Sequence, residues 1–180
     1  MAKTYIDVEF GTPVNGVLAS LSTALTGDNN DITFTSKLPG TAGNNITISY
    51  TKPDKASAEL GLTVTTTALG NGVYSYLIDV SLATNASKNI TTKASDIVAL
   101  VNGHPQAKKL VFAENKGEDT GAGVVTALLA ANGKLAGGVA GTVAKGNALM
   151  IDGTNLYVCV SADGNSTTGA NWKKIQLASL

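Results

Sequence analysis

The spacing of apolar residues changes twice between positions 73 and 113, and each spacing predicts a different element. The first group alternates with polar residues and is interrupted only by Leu77, which is the pattern of a strand with one buried face: Tyr74, Tyr76, Ile78, Val80 and Leu82. The second group has the i, i+3, i+4, i+7 spacing of a helix that buries one side: Ala94, Ile97, Val98 and Val101. The stretch therefore predicts a strand followed by a helix that packs on a sheet through Ile97, Val98 and Val101.

The ends of this helix are also marked in the sequence. Thr92 is the predicted N-cap residue, because a threonine hydroxyl can accept a hydrogen bond from a free N–H of the first turn. Gly103 can adopt a positive φ after the last turn, and Pro105 cannot continue a helix, so the helix is predicted to end at about Asn102. The apolar run at 110–113 then predicts a buried strand.

Other strands are predicted by the same alternation at 32–35, 46–51 and 60–68. The last of these is joined to the strand that begins near Tyr74 by Leu69-Gly70-Asn71-Gly72, whose Asn-Gly pair is typical of a tight hairpin. Residues 17–25 and 124–131 fit either a helix or a strand, and their periodicity does not decide between the two.

The end of the chain has the composition of a separate small module. Four glycines between 137 and 146 indicate a linker with a boundary near Thr142. Three short strands are predicted beyond it, and their apolar residues are expected to form a small core: Met150, Leu156, Val158, Trp172 and Ile175. We therefore expect a main β-rich domain at 1–142 and a C-terminal β module at 143–180. The predicted class is α+β, predominantly antiparallel β, with a β-sandwich-like main domain and one or two short helices.

Composition supports a folded chain with a weakly charged surface. Of 180 residues, 43% are hydrophobic and only 14% are charged, against roughly 25% charged in an average globular domain. The formal net charge is zero and all 13 basic residues are lysines. Nucleic acid is therefore not an expected partner, because arginine is the side chain best suited to forked contacts with phosphate and guanine. The sequence contains neither an apolar signal segment nor a run of membrane-spanning length, so we expect no membrane partner and synthesis in a cytosol.

Candidate chemistry is sparse. His104 and Cys159 are each the single residue of their type, so they cannot assemble a zinc set, and no partner for a catalytic base is evident. His104 is interpreted as a loop histidine and Cys159 as a small apolar residue within a strand. The acidic residues at 28–31, 118–119 and Asp163 lack the spacing of a calcium loop, and Gly121-Ala122-Gly123 lacks a phosphate-binding lysine. We predict no enzyme, no catalytic residue, no metal and no cofactor.

Several stretches in order suggest a family. Five stretches together resemble structural proteins of tailed-phage virions: Asn30-Asp31-Ile32-Thr33-Phe34-Thr35, Gly43-Asn44-Asn45-Ile46-Thr47-Ile48, the helix at 94–101, Gly123-Val124-Val125 and Leu135-Ala136-Gly137-Gly138. The last part of the chain is similar to the short β module that ends many phage head-decoration and head-fibre proteins. The similarity runs from Lys145 through Asp152-Gly153-Thr154 and Cys159 to Trp172 and Ile175. This resemblance also favours a strand at 124–131.

The resemblance implies a non-enzymatic capsid decoration (cement) or head-fibre protein on the outer surface of the major capsid lattice. Its implied partners are the major capsid protein and other copies of itself, as a homotrimer, and its implied location is the virion after synthesis in the host cytoplasm. A tail tube, sheath or baseplate component is the first alternative. A glycan-binding adhesion module or an enzyme is the second, although aromatic residues make up only 5% of the chain and sugar sites depend on exposed aromatic rings.

Overall fold

The computed structural model describes residues 8–10, 16–141, 149–151, 155–159 and 172–176. The described structure is mostly β-strand (40%) with few short helices (17%), which confirms the predicted α+β class with strands dominant. The strands form antiparallel and mixed sheets. Among the described residues, no helix is both long enough and apolar enough to cross a membrane.

The chain divides into two compact units. One is Leu18–Gly138, and the other combines Met1–Val17 with Val139–Leu180. The sequence placed residues 1–142 in one domain, but strand β1 (Val8–Phe10) pairs in parallel with β8 (Leu149–Ile151), so this N-terminal strand belongs to the same sheet as the C-terminal strands. The composition of a sequence does not indicate hydrogen bonds between strands that lie so far apart in it.

The first sheet of the larger unit has the order β2-β3-β7 and is antiparallel. Its strands are β2 (Ser20–Ser22), β3 (Ile32–Ser36) and β7 (Val111–Asn115). In β3 every second side chain is fully buried, as the alternation predicted. The prediction of a buried strand at 110–113 is correct only in part. Leu110 ends the short helix α2 (Ala107–Leu110) instead of beginning the strand, and Phe112 is 45% exposed.

The second sheet has the order β4-β6-β5, from β4 (Ile46–Thr51), β5 (Gly61–Gly70) and β6 (Val73–Ser81). The predicted hairpin is confirmed: β5 and β6 pair antiparallel around Asn71 and Gly72, which have φ values of 51° and 75°. Two successive positive φ angles are typical of the type I′ turn that matches the twist of its strands. By contrast, β4 and β6 pair in parallel, which the sequence did not indicate.

Helix α1 (Ala94–Gly103) lies against β7, with Ile97 and Val101 fully buried and Val98 partly buried. Both predicted ends need correction. The N-cap residue is Lys93, whose N–H donates to the Asp96 carboxylate at 2.9 Å, while the Thr92 hydroxyl accepts instead from the Ala83 N–H at 2.7 Å.

The helix also continues one residue further than predicted. It includes Gly103, which is not among the glycines with positive φ. His104 then leaves the helix in an extended conformation, with φ −69° and ψ 129°. A residue that precedes proline is driven out of the helical region by the proline ring, so Pro105 rather than Gly103 ends the helix.

The two ambiguous segments take extended rather than helical paths. Residues 17–25 contain the strand β2. Residues 124–131 form neither a helix nor the strand that the resemblance favoured: Val124 and Leu128 make isolated bridges to Lys93 and Tyr50, and a short 3-10 turn follows at Ala130–Asn132.

The C-terminal strands agree with the predicted meander. They are β8, β9 (Asn155–Cys159) and β10 (Trp172–Gln176), and β1 completes a four-stranded sheet of order β1-β8-β9-β10. Leu156 and Val158 are partly buried, but Ile175 is 50% exposed and does not lie in a core as predicted. The side chains of Met150 and Trp172, and residues 142–146 of the predicted linker with its boundary at Thr142, lie outside the described residues.

The buried apolar side chains of the described core all lie between Ala19 and Leu135. The largest fully buried ones come from both sheets, from α1, and from Leu82 and Leu135 outside them: Phe34, Ile32, Ile46, Ile48, Tyr50, Ile78, Val80, Leu82, Ile97, Val101, Val111 and Leu135. The hydrophobic core therefore belongs to the unit Leu18–Gly138.

We predict that a fragment of residues 18–138 folds by itself, because it contains the complete described core. Urea unfolding followed by circular dichroism and by tyrosine fluorescence should give one cooperative transition with the same midpoint for both probes. A gradual loss of signal, or two separate midpoints, would mean that residues outside this range are needed for the core.

A second prediction concerns Gly133. A Cβ atom there would collide with the backbone carbonyl of Ile48 in β4, whereas one at Gly103 would meet nothing within 4 Å. Gly133→Ala should lower the free energy of unfolding by about 2 kcal/mol, as overpacking does. Gly103→Ala is the matched control and should stay within about 0.5 kcal/mol of wild type or gain slightly, since alanine is the better helix former. Equal losses for the two variants would contradict the steric explanation.

Candidate functional site

His104 has a structural contact at the end of α1. Its Nδ1 accepts from the backbone N–H of Ala107 at 3.3 Å and from that of Gln106 at 3.4 Å. These bonds join the end of α1 to the start of α2. The imidazole therefore closes a helix-to-helix turn, in agreement with the interpretation of a loop histidine. Cys159 lies in β9, and its side chain is outside the described part.

The acidic loop at 28–31 is used to hold neighbouring segments together. The Asp31 carboxylate accepts from the Leu25 N–H at 2.7 Å, from the Thr23 hydroxyl at 3.0 Å and from the Lys116 ammonium at 3.2 Å. The Asp119 carboxylate accepts from the Asp31 N–H at 3.3 Å. Within the described ranges, no three His, Cys, Asp or Glu side chains are grouped to hold a metal, and Asp163 lies outside those ranges.

These contacts set the charge state of Asp31. Partial burial by itself would raise the pKa of this carboxyl, but the hydrogen bonds from Leu25, Thr23 and Lys116, together with the lysine charge, hold the pKa below its ordinary value. Tyr50 is the opposite case: burial, assisted by the negative charge of Asp31, raises the pKa of its phenol. Its hydroxyl is buried and has no hydrogen-bond partner among the described residues.

The glycines at 121 and 123 allow two loops to approach closely. Gly121 has a φ of 72°, and a Cβ atom there would lie 2.5 Å from the Asn115 side chain. At Gly123 an added Cβ would collide with the backbone of Asp28, and the Gly123 N–H donates to the Asn29 carbonyl at 2.9 Å. Gly121 thus allows close packing within the 115–123 loop, and Gly123 allows that loop to approach the 26–31 loop.

A different feature of the larger unit is exposed to solvent. We call residues 67–75, the outer part of the β5–β6 hairpin beyond the Thr66–Tyr76 pair, the arm. The pairing of β4 with β6 begins at Ile46 and Tyr76, so the arm consists of two strands only. Side chains on both of its faces are exposed or half-buried, and Leu69, Val73 and Tyr74 are 58%, 44% and 47% exposed. The four residues that β5 contributes to the arm extend about 13 Å.

A shallow groove of about 290 Å³ lies beside the arm, on the side of β6. Its lining includes Leu38, Pro39, Val73, Tyr74 and Tyr76, with polar groups from Thr41 and Asn45, and contains no charged residue. The side chains that line the groove would suit an uncharged, mostly apolar ligand.

The outer edge of β4 is closed by the segment 128–135. Tyr50 and Leu128 exchange N–H to carbonyl hydrogen bonds of 2.9 and 3.1 Å. The Ile48 N–H donates to the Gly133 carbonyl at 2.8 Å, and the Leu135 N–H donates to the Ile46 carbonyl at 2.9 Å. The edge of β4 therefore has its backbone partners within the same unit.

Both edges of the other sheet have partners as well. Ser20 of β2 exchanges backbone hydrogen bonds of 2.9 and 3.0 Å with Ala136. On β7, the Asn102 side chain takes the place of a strand: its Nδ2 donates to the Ala113 carbonyl at 2.7 Å, and its Oδ1 accepts from the Ala113 N–H at 3.0 Å.

Strand β5 differs from these three strands. Beyond its ladder to β6, the described residues provide no hydrogen bond to the backbone of Gly61–Gly70. An edge strand directs the N–H and C=O groups of every second residue away from its neighbour. The usual means of protecting an edge are lysines, prolines and short length, whereas these ten residues include no charge and no proline. The outer edge of β5 and the adjoining arm are the candidate site.

Sequence reasoning identified β5 and its hairpin but did not identify this site. The run Thr63-Val64-Thr65-Thr66-Thr67 contains no edge-protecting residue, which is a usable signal. It indicates an open edge only when the strand is known to lie at the border of a sheet, and that position depends on the parallel pairing of β4 with β6.

Comparison with known proteins finds no matching family model, no matching curated protein and no matching solved structure. The function is therefore argued from the geometry above.

We predict that Asp31→Asn lowers the free energy of unfolding by about 2 kcal/mol at pH 7, because the hydrogen bonds from Leu25 and Thr23 lose their charged acceptor and the ion pair with Lys116 is lost. The folded-state pKa of Asp31 lies below the unfolded value near 3.9. Its stabilisation is therefore present above that value and is lost as the pH falls through the folded-state pKa. The difference between wild type and variant, measured by urea unfolding from pH 7 to pH 2, should shrink over the acid end.

Asp28→Asn is the control, since Asp28 is an exposed carboxylate of the same turn. It should change stability by less than about 0.5 kcal/mol. A difference between wild type and Asp31→Asn that does not vary with pH would contradict the assigned role of the Asp31 charge.

Proposed function

We propose that this chain is a non-enzymatic structural subunit of a tailed-phage virion, namely a capsid decoration (cement) or head-fibre protein bound to the outer surface of the major capsid lattice. The observation that carries the proposal is the open, uncharged edge of β5 beside an arm exposed on both faces. A sheet edge of this kind adds a further strand through main-chain hydrogen bonds and so provides an assembly contact.

The arm favours an assembly role over a free monomer. A two-stranded ribbon is only marginally stable in water, and three or more strands are needed for stability. The arm also presents the exposed apolar side chains Leu69, Val73 and Tyr74. In an assembled particle these groups would be covered by a neighbouring subunit.

The placement on a capsid comes from the resemblance of the C-terminal sequence to phage head-decoration and head-fibre proteins. The proposed partners are the major capsid protein and other copies of this chain, as a homotrimer, because a repeating lattice presents sites with local symmetry. Lysine as the only basic residue type and a formal charge of zero support a protein partner rather than nucleic acid. Synthesis in the host cytoplasm belongs to the same proposal.

Two other functions have an observation in their favour. A tail tube, sheath or baseplate component would use the same open edge to join neighbouring subunits. A glycan-binding module would use the groove, where two tyrosine rings and the Asn45 amide lie beside apolar side chains.

Gold-labelled antibodies against the purified chain test the proposal on phage particles made from the genome that encodes it. We expect label on the capsid surface in electron micrographs, and label that disappears when the antibody is first absorbed with the purified chain. Label confined to the tail would favour the tail component. Particles that carry no label, together with a chain that binds purified polysaccharides, would favour the glycan-binding module.

A further inference from the structure

The open edge of β5 needs an occupant, and its chemistry favours one in particular. We propose that β5 pairs antiparallel with β5 of a second copy of this chain across a two-fold axis. This inference names the partner of the edge on which the proposed function rests, but it makes a claim about the protein in solution that does not require a capsid.

The other edge strands of the unit have backbone partners of their own. Segment 128–135 covers β4, Ala136 pairs with Ser20 of β2, and the Asn102 side chain pairs with Ala113 of β7. Among the described residues of this unit, β5 is the edge strand without any such partner, and at ten residues it is the longest strand of the unit. Unpaired N–H and C=O groups along such an edge are a template for another strand.

The strand is also complementary to itself. A strand that pairs with its own copy around a two-fold axis places residue i opposite j and j opposite i. Directly opposite side chains lie on the same face, so odd-numbered residues meet odd-numbered ones. On one face this brings Thr63, Thr65 and Thr67 of the two copies together, and no charge on Gly61–Gly70 opposes a like charge. Threonine pairs across strands are favourable.

The same pairing would add a third strand to the arm. In an antiparallel pairing, the tip of one β5 lies beside the base of the other. Each two-stranded arm would then gain a third strand from the partner, which is the number that a stable sheet needs. Two three-stranded sheets of order β4-β6-β5 would become one continuous sheet of six strands, with the closed β4 edges outermost.

A foreign extended peptide is the competing occupant of the edge. A contact that evolved for another protein has no reason to be free of charge, whereas a strand that meets itself cannot carry a charge near the axis without placing it opposite the same charge. The neutrality of Gly61–Gly70 therefore favours the second copy.

The test uses charges placed on the edge. The double variants Thr65→Lys with Thr67→Lys, and Thr65→Glu with Thr67→Glu, put like charges opposite each other in the self-pair but alter only exposed side chains. Ala99→Lys with Ala131→Lys is the matched control, since both alanines are exposed and lie outside the β5–β6 hairpin. Mass is measured by sedimentation equilibrium, and circular dichroism checks that each variant is folded.

We expect wild type and the control to have twice the mass of either edge variant. This factor of two holds whether the edge joins two single chains or two trimers. Mixing the Lys and Glu variants should restore the wild-type mass, because opposite charges then meet. Edge variants that keep the wild-type mass, or a mixture that does not recover it, would overturn the proposal and leave a foreign peptide as the occupant of the edge.

A crosslink provides a measurement that does not depend on the charged variants. Single cysteines are placed at positions 64, 65, 66 and 67 in a chain that also carries Cys159→Ser. The residue nearest the axis faces its own copy at about 4.5–5.5 Å between Cα atoms, which is within disulfide reach. We expect a covalent dimer at one of these positions and none for Ala99→Cys. The absence of a dimer at all four would contradict the antiparallel self-pair, whereas missing label on virions would contradict only the proposed location.

Discussion

The architecture of the larger unit depends on providing partners for the backbone groups at the borders of two small sheets. A three-stranded sheet has two edges for one central strand, so unpaired N–H and C=O groups are a large share of its backbone. Much of the irregular stretch 124–138 meets this need. It crosses β4 at Leu128 and Gly133 and reaches β2 at Ala136. Its path is determined by those hydrogen bonds rather than by a helix or strand of its own.

Polar side chains anchor this stretch along its length. The Asn30 Nδ2 group donates to the Val124 carbonyl at 3.1 Å, near the beginning of the stretch. At its end, Asn44 donates to the Gly138 carbonyl at 3.0 Å and accepts from the Gly138 N–H at 2.8 Å. Asparagine can make this reciprocal pair because its amide carries both a donor and an acceptor, as the backbone does. Asn102 uses the same property on β7. The abundance of asparagine, threonine and glycine in this chain thus contributes to its tertiary structure.

The contrast between the closed edges and β5 gives the fold its functional asymmetry. A protein that closes β4, β2 and β7 with its own segments avoids uncontrolled association through them. Among the described residues of this unit, the long edge of β5 is left without such partners, and it directs association to one place and one geometry. A virion subunit has a use for such a contact, since it must join neighbours in a fixed orientation, and main-chain hydrogen bonds along a strand specify both position and direction. The proposed function therefore depends on an interface, the edge of β5, and not on a pocket.

The sequence by itself determined the local elements. The alternation in Ile32–Ser36 and Ile46–Thr51, the Asn-Gly turn between β5 and β6, and the helical spacing of Ile97 and Val101 all depend on contacts within a few residues, and the structure agrees with them. The tertiary structure alone decided the parallel pairing of β4 with β6, the union of Val8–Phe10 with the C-terminal strands, and the irregular path of 124–131. These features are backbone hydrogen bonds between distant segments, and every residue except proline offers the same N–H and C=O groups. Side-chain patterns therefore predicted that β5 is a strand. Its place at the border of a sheet, and so its open edge, depends on the pairing of β4 with β6, which those patterns do not indicate.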